Sequence, residues 1–269
     1  MIITVNSIRK SSGTSTFSIS LGIQLSQATD FSVLLIDGSY LYSDIDAILG
    51  VETDRGLDDV LDLLNSNKIN EKLFKDITIE FGNFYVLTGS KISQYNRFEM
   101  DDVNYNRIFS IAESLFDIII IDSPTKKMSN YLVEKAKTSE RFLELQLAKQ
   151  NFLIFDKYTK GKDYNKEGSV VIVNNYWEGR KFNKNYIINE YKIKVPVFTM
   201  RHSDKLLEAY NDRLIDRYLL NENDGYTEDL KVFMNYLAEL WNFSLKNEFV
   251  VKKTVVEQAS NVKKKGLFW

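Results

Sequence analysis

The beginning of this chain limits most sharply what it can fold into. An apolar run, Ile2-Ile3-Thr4-Val5, leads into a polar loop, Arg9-Lys10-Ser11-Ser12-Gly13-Thr14-Ser15-Thr16. A second apolar stretch follows: Phe17, Ile19, Leu21, Ile23 and Leu25. Its spacing of two is strand-like taken alone, and only the loop before it makes a helix the expectation. Strand, tight loop and helix is the arrangement in which successive backbone N–H groups cradle phosphate at a helix N-terminus. The Gly–x–Ser/Thr–Thr core is kept as Gly13, Thr14, Ser15 and Thr16, but Thr14 stands where a phosphate-reaching lysine is usual. The loop therefore reads as built to hold a nucleotide and poorly equipped to split it.

The rest of the chain repeats the alternation. Strand-like runs occur at 32–36, 84–87, 117–121, 142–147, 169–173 and 195–198, several of them continuously apolar. Strands covered on both faces by helices read this way. Between them Leu57, Val60, Leu61 and Leu64, and later Leu230, Phe233, Met234, Leu237 and Trp241, recur at helical spacing. The pattern predicts an α/β fold, a mostly parallel sheet with helices on both faces, in a single domain. Ligands in such sheets sit at the carboxyl ends of the strands, where Gly13, Asp37 and Asp122 fall.

Asp37 ends the run Leu34-Leu35-Ile36, and Asp122 ends Ile119-Ile120-Ile121. A carboxylate ending a buried strand can hold a water on Mg²⁺, and Ser15 can supply a direct oxygen ligand. Strand-end aspartates also cap turns and start helices, which is the plainer reading of either one alone. The predicted metal set is Ser15, Asp37 and Asp122, with Asp37 the sole, weak candidate for a catalytic role.

Composition excludes several other chemistries. The 269 residues contain no cysteine and one histidine, His202, so a Cys-based metal site, a disulfide framework or a Ser–His–Asp triad is not expected. No Gly-x-Ser-x-Gly elbow surrounds Ser123, beside Asp122. The formal net charge of −2 gives no global attraction to nucleic acid. The Tyr/Asn/Lys-rich stretches 94–107 and 157–190 also carry acidic residues and form no basic stripe, so nucleic acid is not the expected partner. With no secretory leader and no apolar run near the roughly 20 residues of a membrane span, a cytoplasmic location is expected.

These residues carry a family resemblance. The chain resembles the ParA/MinD superfamily of deviant Walker ATPases, and most of all the CpaE/TadZ branch that serves tight-adherence (Flp-type) pilus assembly. In that branch a missing Walker lysine is familiar. Arg9 matches the basic signature position, Gly13 the last glycine, Thr14 the replaced lysine, and Ser15-Thr16 the Ser-Thr pair. Gly56-Leu57-Asp58-Asp59-Val60-Leu61, Phe84–Leu87, Phe116–Pro124, Val171–Asn174 and Val195–Val197 with Leu206–Arg213 resemble later strands and helices of the family. The match spans about residues 1–245 and leaves 246–269 as a tail.

The resemblance implies ATP and Mg²⁺ as ligands and a homodimer with nucleotide at its interface, Arg9 crossing to the other subunit's phosphate. It implies that residues 9–16 bind the nucleotide and that Asn174 contacts adenine. Lys10 and Ser11 replace two loop glycines, and Ser39 stands where the family's second strand carries another acid. Both departures point to slow or absent hydrolysis, because phosphoryl transfer depends on positioning and charge stabilisation. The expected function is a TadZ/CpaE-type scaffold that recruits pilus or secretion machinery. The alternatives are a cycling partitioning ATPase and a degenerate interaction module that binds no nucleotide. The tail Lys263-Lys264-Lys265-Gly266-Leu267-Phe268-Trp269 suits weak, reversible contact with the inner membrane face, and equally a solvated terminus.

Overall fold

The structure is a computed structural model and describes residues 1–7, 11–38, 43–90, 102–123, 139–150, 165 and 167–250. Arg9, Lys10, Ser39, Pro124 and the tail Lys263–Trp269 lie outside the described residues, as do most of 94–107 and the first part of 157–190.

Eight strands form one sheet: β1 (Ile2–Ser7), β2 (Val33–Asp37), β3 (Ile79–Phe81), β4 (Phe84–Leu87), β5 (Ile118–Ser123), β6 (Phe142–Lys149), β7 (Ser169–Tyr176) and β8 (Val197–Arg201). Their order is β3-β4-β2-β5-β1-β6-β7-β8. Every pairing is parallel except that of β3 with β4, a short hairpin at the edge. The seven apolar runs of the sequence all became strands; β3 was not foreseen. At three residues, none of them buried, it offers too short an alternation to read.

Helices α1 (Thr14–Ala28), α2 (Ile45–Leu49), α3 (Leu57–Asn65), α4 (Glu71–Ile77), α5 (Asp102–Leu115), α6 (Lys184–Glu190), α7 (Asp204–Asn211), α8 (Ile215–Asn221) and α9 (Gly225–Trp241) cover the sheet. Alternate residues of one strand serve different layers. Ile118 and Ile120 pack with α1 and α9, while Ile119 and Ile121 pack with α3 and α5. All four are fully buried, which is why the run has no polar alternation. A smaller cluster packs α6 against β7 and β8 through Val171, Val173, Ile187 and Val197.

The period-two stretch after the loop is helix α1. It lies deep in the core, with Phe17 through Leu25 buried without a break. A helix buried on nearly every side needs no polar face, so its sequence carries no helical stripe.

The topology places the loop. β1 lies between β5 and β6; its chain continues through α1 to β2 on the far side of β5, whereas β5 is followed by β6 on the other side of β1. Strand order thus reverses at β1, and the crevice at the carboxyl end of such a switch point is where open α/β sheets take ligands.

Candidate nucleotide site

The loop enters α1 through Gly13, which sits in the left-handed region at φ 86° and ψ 27°. Ser11 is also left-handed, at φ 63°. Glycine adopts this conformation freely and serine does so at a cost. Ser11 thus takes a backbone shape that glycine would adopt more readily. No side chain caps α1 and no acidic residue sits in its first turn. Its leading N–H groups and the positive end of its dipole thus have no side-chain cap from the helix itself.

Two carboxylates stand beside the loop. Asp37 and Asp122 are register partners on β2 and β5, and both are almost wholly buried, at 1% and 0% exposure. Ser15 Oγ donates to Asp122 Oδ2 at 2.6 Å, and Ser18 Oγ reaches Oδ1 at 3.5 Å. Thr14 also bonds this carboxylate through its side chain. Burial pushes the Asp122 carboxyl up to about 6, against the pull of these three hydroxyls. Asp37 Oδ2 accepts from Ser43 Oγ at 2.7 Å, and the same hydroxyl accepts from Gly89 N at 3.3 Å. The amide of Gly38 donates to the Asp122 carbonyl at 2.8 Å, tying the two strand ends together.

Two adjacent buried acids call for a cation, because ionised carboxylates are costly away from water unless compensated. Magnesium, which uses one or two carboxylates and takes its remaining ligands from water and phosphate, fits this donor set with the Ser15 hydroxyl. Among the described residues no group of three or more acids or histidines gathers to hold a metal, here or elsewhere, so the two aspartates would rely on Ser15, phosphate and water for the remaining ligands.

On the other flank, Asn174 Nδ2 donates to the Ser12 carbonyl at 2.9 Å. Asn174 therefore sits against the loop itself, a contact that the expected role at adenine did not include. Asn175 follows at φ 54°. His202 lies between Asn175 Oδ1 (2.6 Å from Nδ1) and Asp204 Oδ1 (2.8 Å from Nε2), and stacks on Trp177 with ring centroids 4.3 Å apart.

The structure thus gathers Ser11, Ser12, Gly13, Thr14, Ser15, Thr16, Asp37, Asp122 and Asn174 at one end of the sheet. Sequence reasoning missed three supports: Ser18, Ser43 and the inward turn of Thr14, which is 7% exposed. Ser18 was findable, three residues after Ser15 on the same helix face. Ser43 left no signal, because only the fold returns it to Asp37.

Solved structures share this fold. A ParA family ATPase from Chlorobium tepidum superposes with a TM-score of 0.67 at 14% identity, covering 85% of this chain and 95% of that one. The cell division ATPase MinD of Pyrococcus furiosus gives 0.65 at 19% identity, over 88% and 99% of the two chains. The fold is that of the MinD and ParA ATPases. The septum site-determining protein MinD of Pyrococcus horikoshii, complexed with Mg-ADP, matches at 0.63 and 17% identity over 89% and 97%. No protein-family model and no curated protein sequence matches the chain. Among the described residues, no helix of this MinD/ParA-like fold is long and apolar enough to cross a membrane.

Proposed function

We propose that this chain binds Mg-ATP at the loop and uses it as a switch for self-association, with little or no hydrolysis. The observation that carries this reading is the pair of buried, in-register carboxylates, Asp37 and Asp122, beside an uncapped helix N-terminus. In it, residues 10–16 cradle the phosphates, and Arg9 reaches across the dimer to the other subunit's phosphate. Ser15 gives Mg²⁺ a direct ligand, the two aspartates hold its waters, and Asn174 borders the base. When bound, the metal would neutralise phosphate charge; the chain's own part is to orient the phosphates and to fix the two acids where they meet the metal's waters. Thr14 turns towards Asp122 and supplies no cation to the phosphates, which favours holding nucleotide over splitting it.

A nucleotide that binds the dimer more tightly than the monomer shifts the population towards the dimer. On the resemblance of its loop to the TadZ/CpaE branch, the dimer would serve as a scaffold for pilus or secretion machinery, with the Lys263–Trp269 tail as a contact for the inner membrane face. A second reading, a cycling partitioning ATPase, is favoured by the similar solved structures, which are described as cell-division and ParA ATPases.

Light-scattering mass with and without Mg-ATP, with phosphate release assayed on the same sample, separates the readings. Dimerisation without release is the expected outcome. Dimerisation with steady release moves the reading to the cycling ATPase. A protein that ignores millimolar Mg-ATP is an interaction module, and the switch is then wrong.

A further inference from the structure

The loop keeps an anion-ready shape although its sequence opposes it. Ser11 occupies the left-handed region at φ 63°, where a serine side chain is disfavoured. Gly13 occupies it at φ 86°. Between these two residues lies Ser12, and its carbonyl is the acceptor for Asn174 Nδ2 at 2.9 Å. A trans peptide is planar, so its C=O and the next N–H point in opposite directions. Fixing the Ser12 carbonyl towards β7 therefore aims the Gly13 N–H away from β7, into the cradle. The Gly13 carbonyl is fixed separately, by accepting from Phe17 N at 2.9 Å.

The fit between the two residues is mutual. A Cβ on Gly13 would lie 2.4 Å from Asn174 Nδ2, so the amide fills the space that glycine leaves. Asn174 pairs with Lys149 of β6, while the pairing of β7 with β8 shifts register between Val173 and Tyr176. Such irregularities re-aim strand side chains. Here Asn175 at φ 54° marks the shift, directly after the residue that reaches the loop.

From this geometry we infer that Asn174 is a positioning residue: its side-chain amide, in place of a glycine-rich sequence, holds the loop in the shape that receives phosphate. The inference rests on the reading of the loop as a nucleotide cradle, and adds that the cradle's form is imposed from β7. Asn174 acts through Ser12 and Gly13 and is not assigned a chemical step.

Asn174→Ala and the near-isosteric Asn174→Leu both remove the donor without adding charge. Each is expected to weaken Mg-ATP binding about tenfold, the loss of roughly one well-placed hydrogen bond. The thermal midpoint should stay within a few degrees of wild type. Ser11→Gly, which relieves the left-handed serine, should restore at least about threefold of the affinity in the Asn174→Ala background. In the ligand-free protein, the carbonyl-carbon resonance of Ser12 should move on loss of its donor. Unchanged affinity in both variants overturns the inference. So does a loss of affinity that tracks thermal stability and is not rescued by Ser11→Gly, since that is a merely structural role. If the wild type binds no Mg-ATP, the proposed function fails, and the Ser12 carbonyl resonance then decides alone: an unmoved signal overturns the brace.

Discussion

The loop is held from two sides by opposite chemistry. On the β2–β5 side two buried carboxylates accept from hydroxyls: Asp122 from Ser15 and Ser18, Asp37 from Ser43. On the β7 side a neutral amide donates to a loop carbonyl. On the acidic side burial opposes the charge of Asp122, and in the proposed function a bound cation would offset that cost. The amide side costs nothing in charge and fixes shape alone. A site can thus store unfavourable burial where ligand must compensate it and place stability where ligand must only fit.

Substitutions can break this comparison at either side. The largest effect is expected at the meeting point of loop and amide. Gly13→Ala would meet both a left-handed backbone and Asn174, lowering Mg-ATP affinity by about a hundredfold and stability by about 2 kcal/mol. Calorimetric titration and urea unfolding read the two effects; wild-type values for both would remove the amide side from the account.

Asp122→Asn tests the acidic side, and its two readouts should move in opposite directions. Asparagine still accepts from Ser15 but carries no charge. The folded carboxyl titrates at about 6, above its ordinary 3.8, so its contribution to stability is complete below that ordinary value and is lost as pH rises through about 6. The variant should therefore be more stable than wild type by about 3 kcal/mol at pH 7, the gain largely vanishing near pH 4. Mg²⁺-dependent nucleotide binding should fall by roughly thirtyfold or more with loss of a carboxylate from the metal set. Denaturant titrations across that pH range check the sign, and a variant less stable at pH 7 contradicts the assigned cost.

Asp37→Asn sharpens the comparison within the acidic side, and a smaller loss of about tenfold in Mg²⁺-dependent affinity is expected, because Asp122 and not Asp37 also holds the Ser15 hydroxyl offered to the metal. An effect exceeding that of Asp122→Asn would reverse their ranking. Smallest is Thr14→Lys. It takes one hydroxyl from Asp122 and offers a cation to phosphate, and should tighten ATP binding by about threefold. Filter binding with labelled ATP measures it; weaker binding would mean that the inward turn of position 14 matters more than charge.

Much of the acidic side was legible in the sequence. A charged residue closing an otherwise unbroken apolar strand is conspicuous, and Asp37 and Asp122 are of that kind. The strand runs themselves predicted seven strands correctly, since burial on both faces leaves a continuous apolar signal. The amide side was far less legible. Asn174 follows the apolar run of β7 and lies inside the strand as a neutral amide with no charge to single it out, and its reach towards Ser12 sits beside a register shift between β7 and β8 that no local pattern announces. The helical state of residues 14–28 was legible only through the loop before it, because full burial erased the periodicity.

By itself the sequence determined the layers, the parallel character of the sheet, the position of the loop and the two acids beside it. These follow from local periodicity and from where polarity interrupts apolar runs, both of which are written in order along the chain. Tertiary structure decided the rest. It set the strand order that brings β5 and β7 to either side of the loop, the left-handed turn imposed on Ser11, the burial that raises Asp122, and the partnerships with Ser43 and Asn174. The physical reason is distance along the chain. Asn174 bonds a loop carbonyl 162 residues away and Ser15 bonds a carboxylate 107 residues away. Such contacts exist only once the sheet has closed the intervening chain.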